Sequence, residues 1–121
     1  MNFAKWHRLM RLAFWLALAV TLVMALLPKP PALPMQAADK VQHIAAFATL
    51  TFLAALGFAG LRLRVIFVAM AALGLAIEAL QMIPTLHRDA QVSDWLADCA
   101  ATLATLLLCG ALRWLLHRRQ A

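Results

Sequence analysis

Four apolar runs, residues 12–27, 44–61, 65–83 and 95–112, each 16 to 19 residues long and almost free of charge, decide what this chain can become. A helix rises about 1.5 Å per residue, so each run makes roughly 24–29 Å of helix. That nearly matches the ~30 Å hydrocarbon core of a bilayer once Arg11, Arg62, Arg64 and Arg113 at the flanks extend their charged heads to water. None of the runs alternates apolar and polar residues with period two, which excludes a β-barrel, and their Ala and Leu content favours helix. With 65% hydrophobic and 13% charged residues, a soluble domain is excluded as well. The expectation is an all-α polytopic membrane protein: residues 1–121 as a single transmembrane domain, a compact bundle of four transmembrane helices.

The ends of the runs carry stop and start signals. Pro28, Pro30, Pro31 and Pro34 end the first helix and favour extended chain as far as Ala38. Asp39 with Gln42 three residues on reads as a capping box for the second helix, and Gly60 is expected to close it before a tight turn at residues 61–64. Pro84 ends the third helix and Ser93 is the expected N-cap of the fourth. The first run is expected to stay in the protein rather than leave as a signal peptide. It is long for the apolar part of such a peptide, and residues 35–38 make a poor cleavage site. Trp6, Trp15, Trp95 and Trp114 fall near run ends and suit an aromatic belt, and the pairs Ala55/Ala59, Ala72/Ala76, Ala97/Ala101 and Ala100/Ala104 suit close helix packing. Cys99 and Cys109, ten residues apart on one helix, are separated by about 15 Å and cannot bridge.

The net charge of +6 would suggest nucleic acid if this were a soluble domain, but the cations flank apolar runs, so no nucleic-acid partner is expected. Their distribution instead sets orientation. Lys5, Arg8, Arg11, Arg62, Arg64, Arg113, Arg118 and Arg119 fall on one side of the four spans, and only Lys29, Lys40 and Arg88 on the other. The cation-rich side is the cytoplasmic one, so both termini are expected inside.

All five acids, Asp39, Glu78, Asp89, Asp94 and Asp98, lie in the outer half or the outer loops. A charge near the centre of a span costs about 2.5–3.5 kcal/mol on insertion scales, so Glu78 and Asp98 need partners or water. Each sits about 8 Å inside the outer end of its run, so the two can meet at one level. Helical spacing adds to them. Gly74, Glu78 and Gln81 share one stripe of the third helix, Asp94 and Asp98 are four apart on the fourth, and Asp39 and His43 are four apart on the second. Lys40 and Arg88 bring cations to the same outer mouth. Interhelical salt bridges from Glu78 and Asp98 to Arg88 or Lys40 would account for the cluster structurally, with Asp39 and Asp94 serving only helix starts; a ligand site would account for it functionally.

Asp39-Lys40-Val41-Gln42-His43, then Glu78-Ala79-Leu80-Gln81, then Arg88 followed by Asp94 through Asp98, resembles the VanZ-like family of small bacterial membrane proteins over roughly residues 39–110. That family shows Asp-Lys-x-x-His at a helix start, Glu-x-x-Gln at a helix end, and an Arg followed by Asp-x-x-x-Asn or Asp. This chain departs where an aromatic hydroxyl is common, at Phe47, and where Gly is common, at Ala101. The resemblance implies a multi-pass protein of the bacterial cytoplasmic (inner) membrane and a link to glycopeptide tolerance. Some members carry a phosphotransbutyrylase label, for which this chain has no Gly-rich phosphate loop and no inner nucleophilic cluster.

Three functions compete. In the first, the outer cluster of Asp39, Lys40, His43, Glu78, Gln81, Arg88, Asp94 and Asp98 binds an anionic envelope component without chemistry. A lipid phosphate or a peptidoglycan precursor would suit, with Lys40 and Arg88 as anion donors. In the second, the chain is an outer-leaflet enzyme with His43 and Glu78 as acid and base, or with a divalent metal held by His43, Glu78, Asp94 and Asp98. No compact H-E-x-x-H signature is present, so neither a metal nor any other cofactor is expected. In the third it relays protons or ions, although no ionisable residue marks the inner half of any span. The expected surroundings are the lipid bilayer in every case.

Overall fold

A computed structural model of the chain describes residues 2–27, 36–86 and 90–120, with backbone alone at 36–39. Four helices follow one another: α1 (Phe3–Leu26), α2 (Gln36–Gly57), α3 (Leu63–Gln81) and α4 (Val92–Gln120), with a single 3-10 turn at Pro84–Leu86. Each of the four is long and apolar enough to cross a membrane, and among the described residues there is no strand. The protein is therefore an all-helical, multi-pass membrane protein.

Several helix ends differ from the sequence reading, each for a local reason. α1 begins nine residues before the apolar run, because the Asn2 side chain accepts a hydrogen bond from the Lys5 N–H at 2.8 Å and caps the helix there. α2 starts at Gln36, so Asp39 lies in its first turn and is not its cap; Gln36, Ala37 and Ala38 are themselves good helix formers. The same helix ends at Gly57 rather than Gly60, and the turn that follows closes with the Leu61 N–H on the Phe58 carbonyl. α3 ends at Gln81 with Met82 as C-cap, before Pro84. Ser93 lies inside α4, and its hydroxyl donates to the Gln91 side chain instead of capping the helix. The polyproline-like reading of residues 28–34 falls outside the described residues, as do His87, Arg88 and Asp89.

α2 is the hub. It packs against α1 on one side and α4 on the other, and α4 in turn packs on α3. Its buried stripe, Phe47, Leu50, Thr51, Ala54 and Ala55, recurs at helical spacing and meets Ile66, Met70 and Ile77 of α3 and Leu106 and Cys109 of α4 in one core. Outward, Leu9, Leu12, Leu16, Val20 and Val23 of α1 and Leu103, Leu107 and Leu108 of α4 stay exposed, the face a bilayer covers. Two of the four small-residue pairs lie on this outer face: Ala72/Ala76 and Ala100/Ala104 are exposed, so they do not bring helices of this chain together. Spacing alone reveals that two residues share a face, not which way the face is turned.

Side-chain bonds to backbone carbonyls fix the two ends of the bundle. At one end, Nδ1 of His7 donates to the Leu56 carbonyl (2.8 Å), Nε of Arg11 to that of Gly57 (2.9 Å) and a guanidinium nitrogen of Arg113 to that of Ala55 (2.9 Å). All three serve the last turn of α2, whose carbonyls lack helical partners and carry the negative end of the helix dipole. α1 and α2 approach so closely here that a Cβ on Gly57 would lie 2.9 Å from the Arg11 nitrogen. The eight cations that the sequence assigns to one side lie on the helix ends and the α2–α3 turn at this end. At the other end, Nε2 of Gln81 donates to the Ala25 carbonyl (3.0 Å), tying the last turns of α1 and α3 together.

Candidate functional site

The second end gathers the polar residues of three helices. His43, two turns into α2, points its Nδ1 at Asp98 of α4, 3.2 Å from Oδ1 and 3.4 Å from Oδ2. With the carboxylate as acceptor, Nδ1 carries the proton and Nε2 is left for another partner. This is the only contact between an imidazole or cationic side chain and a carboxylate among the described residues. Lys40 forms no ion pair with Glu78, Asp94 or Asp98.

Glu78 of α3 completes the group. Its Oε2 accepts the Gln91 N–H at 3.1 Å from the segment that leads into α4, while its Oε1 is buried and meets no donor among the described residues. One ligand-capable atom each of His43, Glu78 and Asp98 lie within 4.8 Å of one another. Asp98 is 1% exposed and Glu78 7%, so both carboxylates are held almost out of solvent contact.

The walls explain why these side chains converge. Gly74, one turn before Glu78, leaves room that a Cβ would fill, 3.2 Å from Cδ1 of Trp95 and 3.4 Å from both Oδ2 of Asp98 and Cζ of Phe47. The Trp95 indole crosses to α3, where Nε1 donates to the Ala71 carbonyl at 2.9 Å. Trp95 thus fixes the start of α4 against α3, a packing role beyond that of an aromatic belt. Phe47, 1% exposed, is the apolar floor beneath His43 and Asp98, where an aromatic hydroxyl would have added a polar group. One turn deeper, the fully buried Thr51 and Thr102 hydroxyls face each other across α2 and α4 at 3.4 Å, a weak contact.

Beside the cluster lies a cavity of 310 Å³ bounded by α1, α2 and Ile77 of α3. His43, Gln42 and Thr21 are its polar lining; Val20, Met24, Ala45, Ala46 and Phe47 supply most of the rest. Val20, Met24, Gln42 and Ala45 are exposed, so the cavity opens sideways between α1 and α2, toward the space that lipid fills.

The sequence-derived set divides accordingly. His43, Glu78 and Asp98 are brought together, with Asp94 one turn further out on α4. Gln81 is not part of the group, because its amide is committed to the end of α1. Lys40 stands in the turn before His43, free of the acids, while the Asp39 side chain and Arg88 lie outside the described residues. Gln91, Trp95 and the floor residue Phe47 complete the site. Spacing could not mark Gln91, whose contribution is a backbone N–H, but the Gly74 and Trp95 types do hint at close approach.

No protein-family model, curated protein or solved structure matches the chain. The site's own chemistry therefore carries the functional argument.

Proposed function

We propose that the chain is a VanZ-like protein of the bacterial cytoplasmic membrane. In this reading it binds an anionic, acyl-bearing envelope component, a lipid phosphate or lipid-linked peptidoglycan precursor, at an outward-facing polar mouth. The observation that carries it is the 310 Å³ lipid-side cavity with His43 in its wall and the Glu78–His43–Asp98 group beside it. An amphiphile needs both: an apolar slot for its chain and polar groups at its head. Lys40 and Arg88 are the anion donors in this reading, with Asp98 holding the imidazole and Glu78 beside it. The concentration of cations at the opposite end supports an orientation with that end in the cytoplasm. A role in glycopeptide tolerance follows if the bound component is the antibiotic's target.

Native mass spectrometry of the detergent-purified protein with phosphatidylglycerol tests this reading. Wild type retains the lipid, Ala46→Phe fills the slot and Arg88→Ala removes an anion donor, each weakening capture by about tenfold or more, near 1.4 kcal/mol. Equal capture by all three proteins refutes it.

The His43–Asp98 contact favours a second reading, an outer-leaflet acid–base enzyme. A buried carboxylate that fixes one imidazole nitrogen presents the other as a base, with Glu78 close enough to exchange a proton. Turnover of a phospholipid or lipid-linked diphosphate, lost in His43→Gln, separates this from binding alone; no turnover removes it.

A further inference from the structure

We propose that His43, Glu78 and Asp98 form a three-ligand site for one divalent transition-metal ion, of the zinc or manganese class. The proposal stands apart from amphiphile binding, and either can fail without the other.

The charge comes first. Two carboxylates beside one imidazole, formally minus two with the ring neutral, lie where Asp98 is 1% and Glu78 7% exposed. Buried charge is costly, and among the described residues no Lys or Arg supplies the compensation. A dication does so with one ion. The second point is the orphan: Oε1 of Glu78 is buried without a donor among the described residues, whereas Oε2 is held by the Gln91 N–H. A carboxylate with one oxygen fixed by an outer hydrogen bond and the other vacant is how metal-ligating carboxylates are oriented.

Geometry supplies the third argument. Metal–nitrogen and metal–oxygen bonds of about 2.0–2.1 Å place neighbouring atoms of a tetrahedral set about 3.3 Å apart. The Nδ1 of His43 and Oδ1 of Asp98 are already 3.2 Å apart, and one donor atom of each of the three residues lies within 4.8 Å of the others. On binding, the imidazole proton shifts from Nδ1 to Nε2, so no net proton leaves the neutral ring. One nitrogen and two oxygens suit zinc or manganese rather than a thiolate-seeking ion, and three protein ligands leave a position open.

The experiment uses the full chain without a polyhistidine tag, purified in detergent without chelator and given zinc or manganese chloride alone, then desalted for elemental analysis. One bound equivalent per chain is expected, and Glu78→Gln and Asp98→Asn each weaken binding roughly a hundredfold or more, whereas Gln81→Leu, outside the group, leaves it unchanged. Absence of stoichiometric metal on folded wild type overturns the proposal, as does binding undiminished in both carboxamide variants. Cobalt substitution of wild type gives a reading that does not depend on any variant folding. Visible bands of a four-coordinate nitrogen–oxygen site support the assignment, and a thiolate charge-transfer band would move the ion to Cys99 or Cys109 and overturn it.

Discussion

The two ends of the bundle handle charge in opposite ways. At the cation-rich end, Arg11, His7 and Arg113 are each committed to a carbonyl in the last turn of α2, so the positive groups finish the fold. At the acid-rich end, among the described residues, an imidazole leans on one carboxylate, the other keeps an oxygen without a donor, and Lys40 engages neither. Both ends hold a cavity, 370 Å³ around His7, Arg11 and Gly57 and 310 Å³ beside His43. Only the second joins an apolar slot to unspent polar groups. Charge satisfied by the protein's own backbone speaks of structure; charge left with bonding capacity speaks of a ligand.

The comparison can be broken first at its tightest point. Gly57→Val drives a side chain into the α1 backbone, where an added Cβ would lie 2.9 Å from the Arg11 backbone nitrogen, and should cost about 1–3 kcal/mol or prevent folding. Gly60→Val, where a Cβ meets nothing within 4 Å, should stay within about 0.5 kcal/mol. Thermal unfolding followed by Trp fluorescence compares the pair; equal effects would mean that α1 does not pack on α2 in this register. Next in size is Arg113→Ala, which removes a charge-assisted bond to the end of α2 and should cost about 1–2 kcal/mol. The same melting assay should show a lowered Tm with unchanged lipid capture.

Smaller effects sharpen the contrast at the acid-rich end. Gln81→Leu loses the bond to Ala25, and Trp95→Phe the bond to Ala71. Interhelical hydrogen bonds in membranes average about 0.6 kcal/mol, so each change should lower Tm slightly. Trp95→Phe should also loosen Asp98 and reduce capture, whereas Gln81→Leu should not. Loss of capture in Gln81→Leu would return that amide to the site.

Much of this is legible in the sequence. Long apolar runs force helices in a bilayer, and the cost of Glu78 and Asp98 inside spans marks them as partners at one depth. Rotation about each helix axis was not legible, because composition does not reveal it. That is why Ala72/Ala76 reads as a packing pair yet faces outward, and why Gln81 shares the Glu78 stripe yet bonds to α1. The commitment of Arg11 and Arg113 was hidden for a related reason: the positive-inside pattern explains a cation by topology, leaving its hydrogen-bond partner unspecified. The packing role of Trp95 is hidden because the end of a span suits a belt residue and a packing residue equally.

The central claim is that the acids are kept for a ligand and not for the fold, and Glu78→Gln tests it most directly. Neutralising a buried carboxylate that lacks a full set of donors should leave Tm equal to or above that of wild type, as expected where a site holds groups at the expense of stability. Capture of phosphatidylglycerol, measured on the same preparation, should fall about tenfold. A lowered Tm with capture intact would contradict the account and make Glu78 a structural link between α3 and α4.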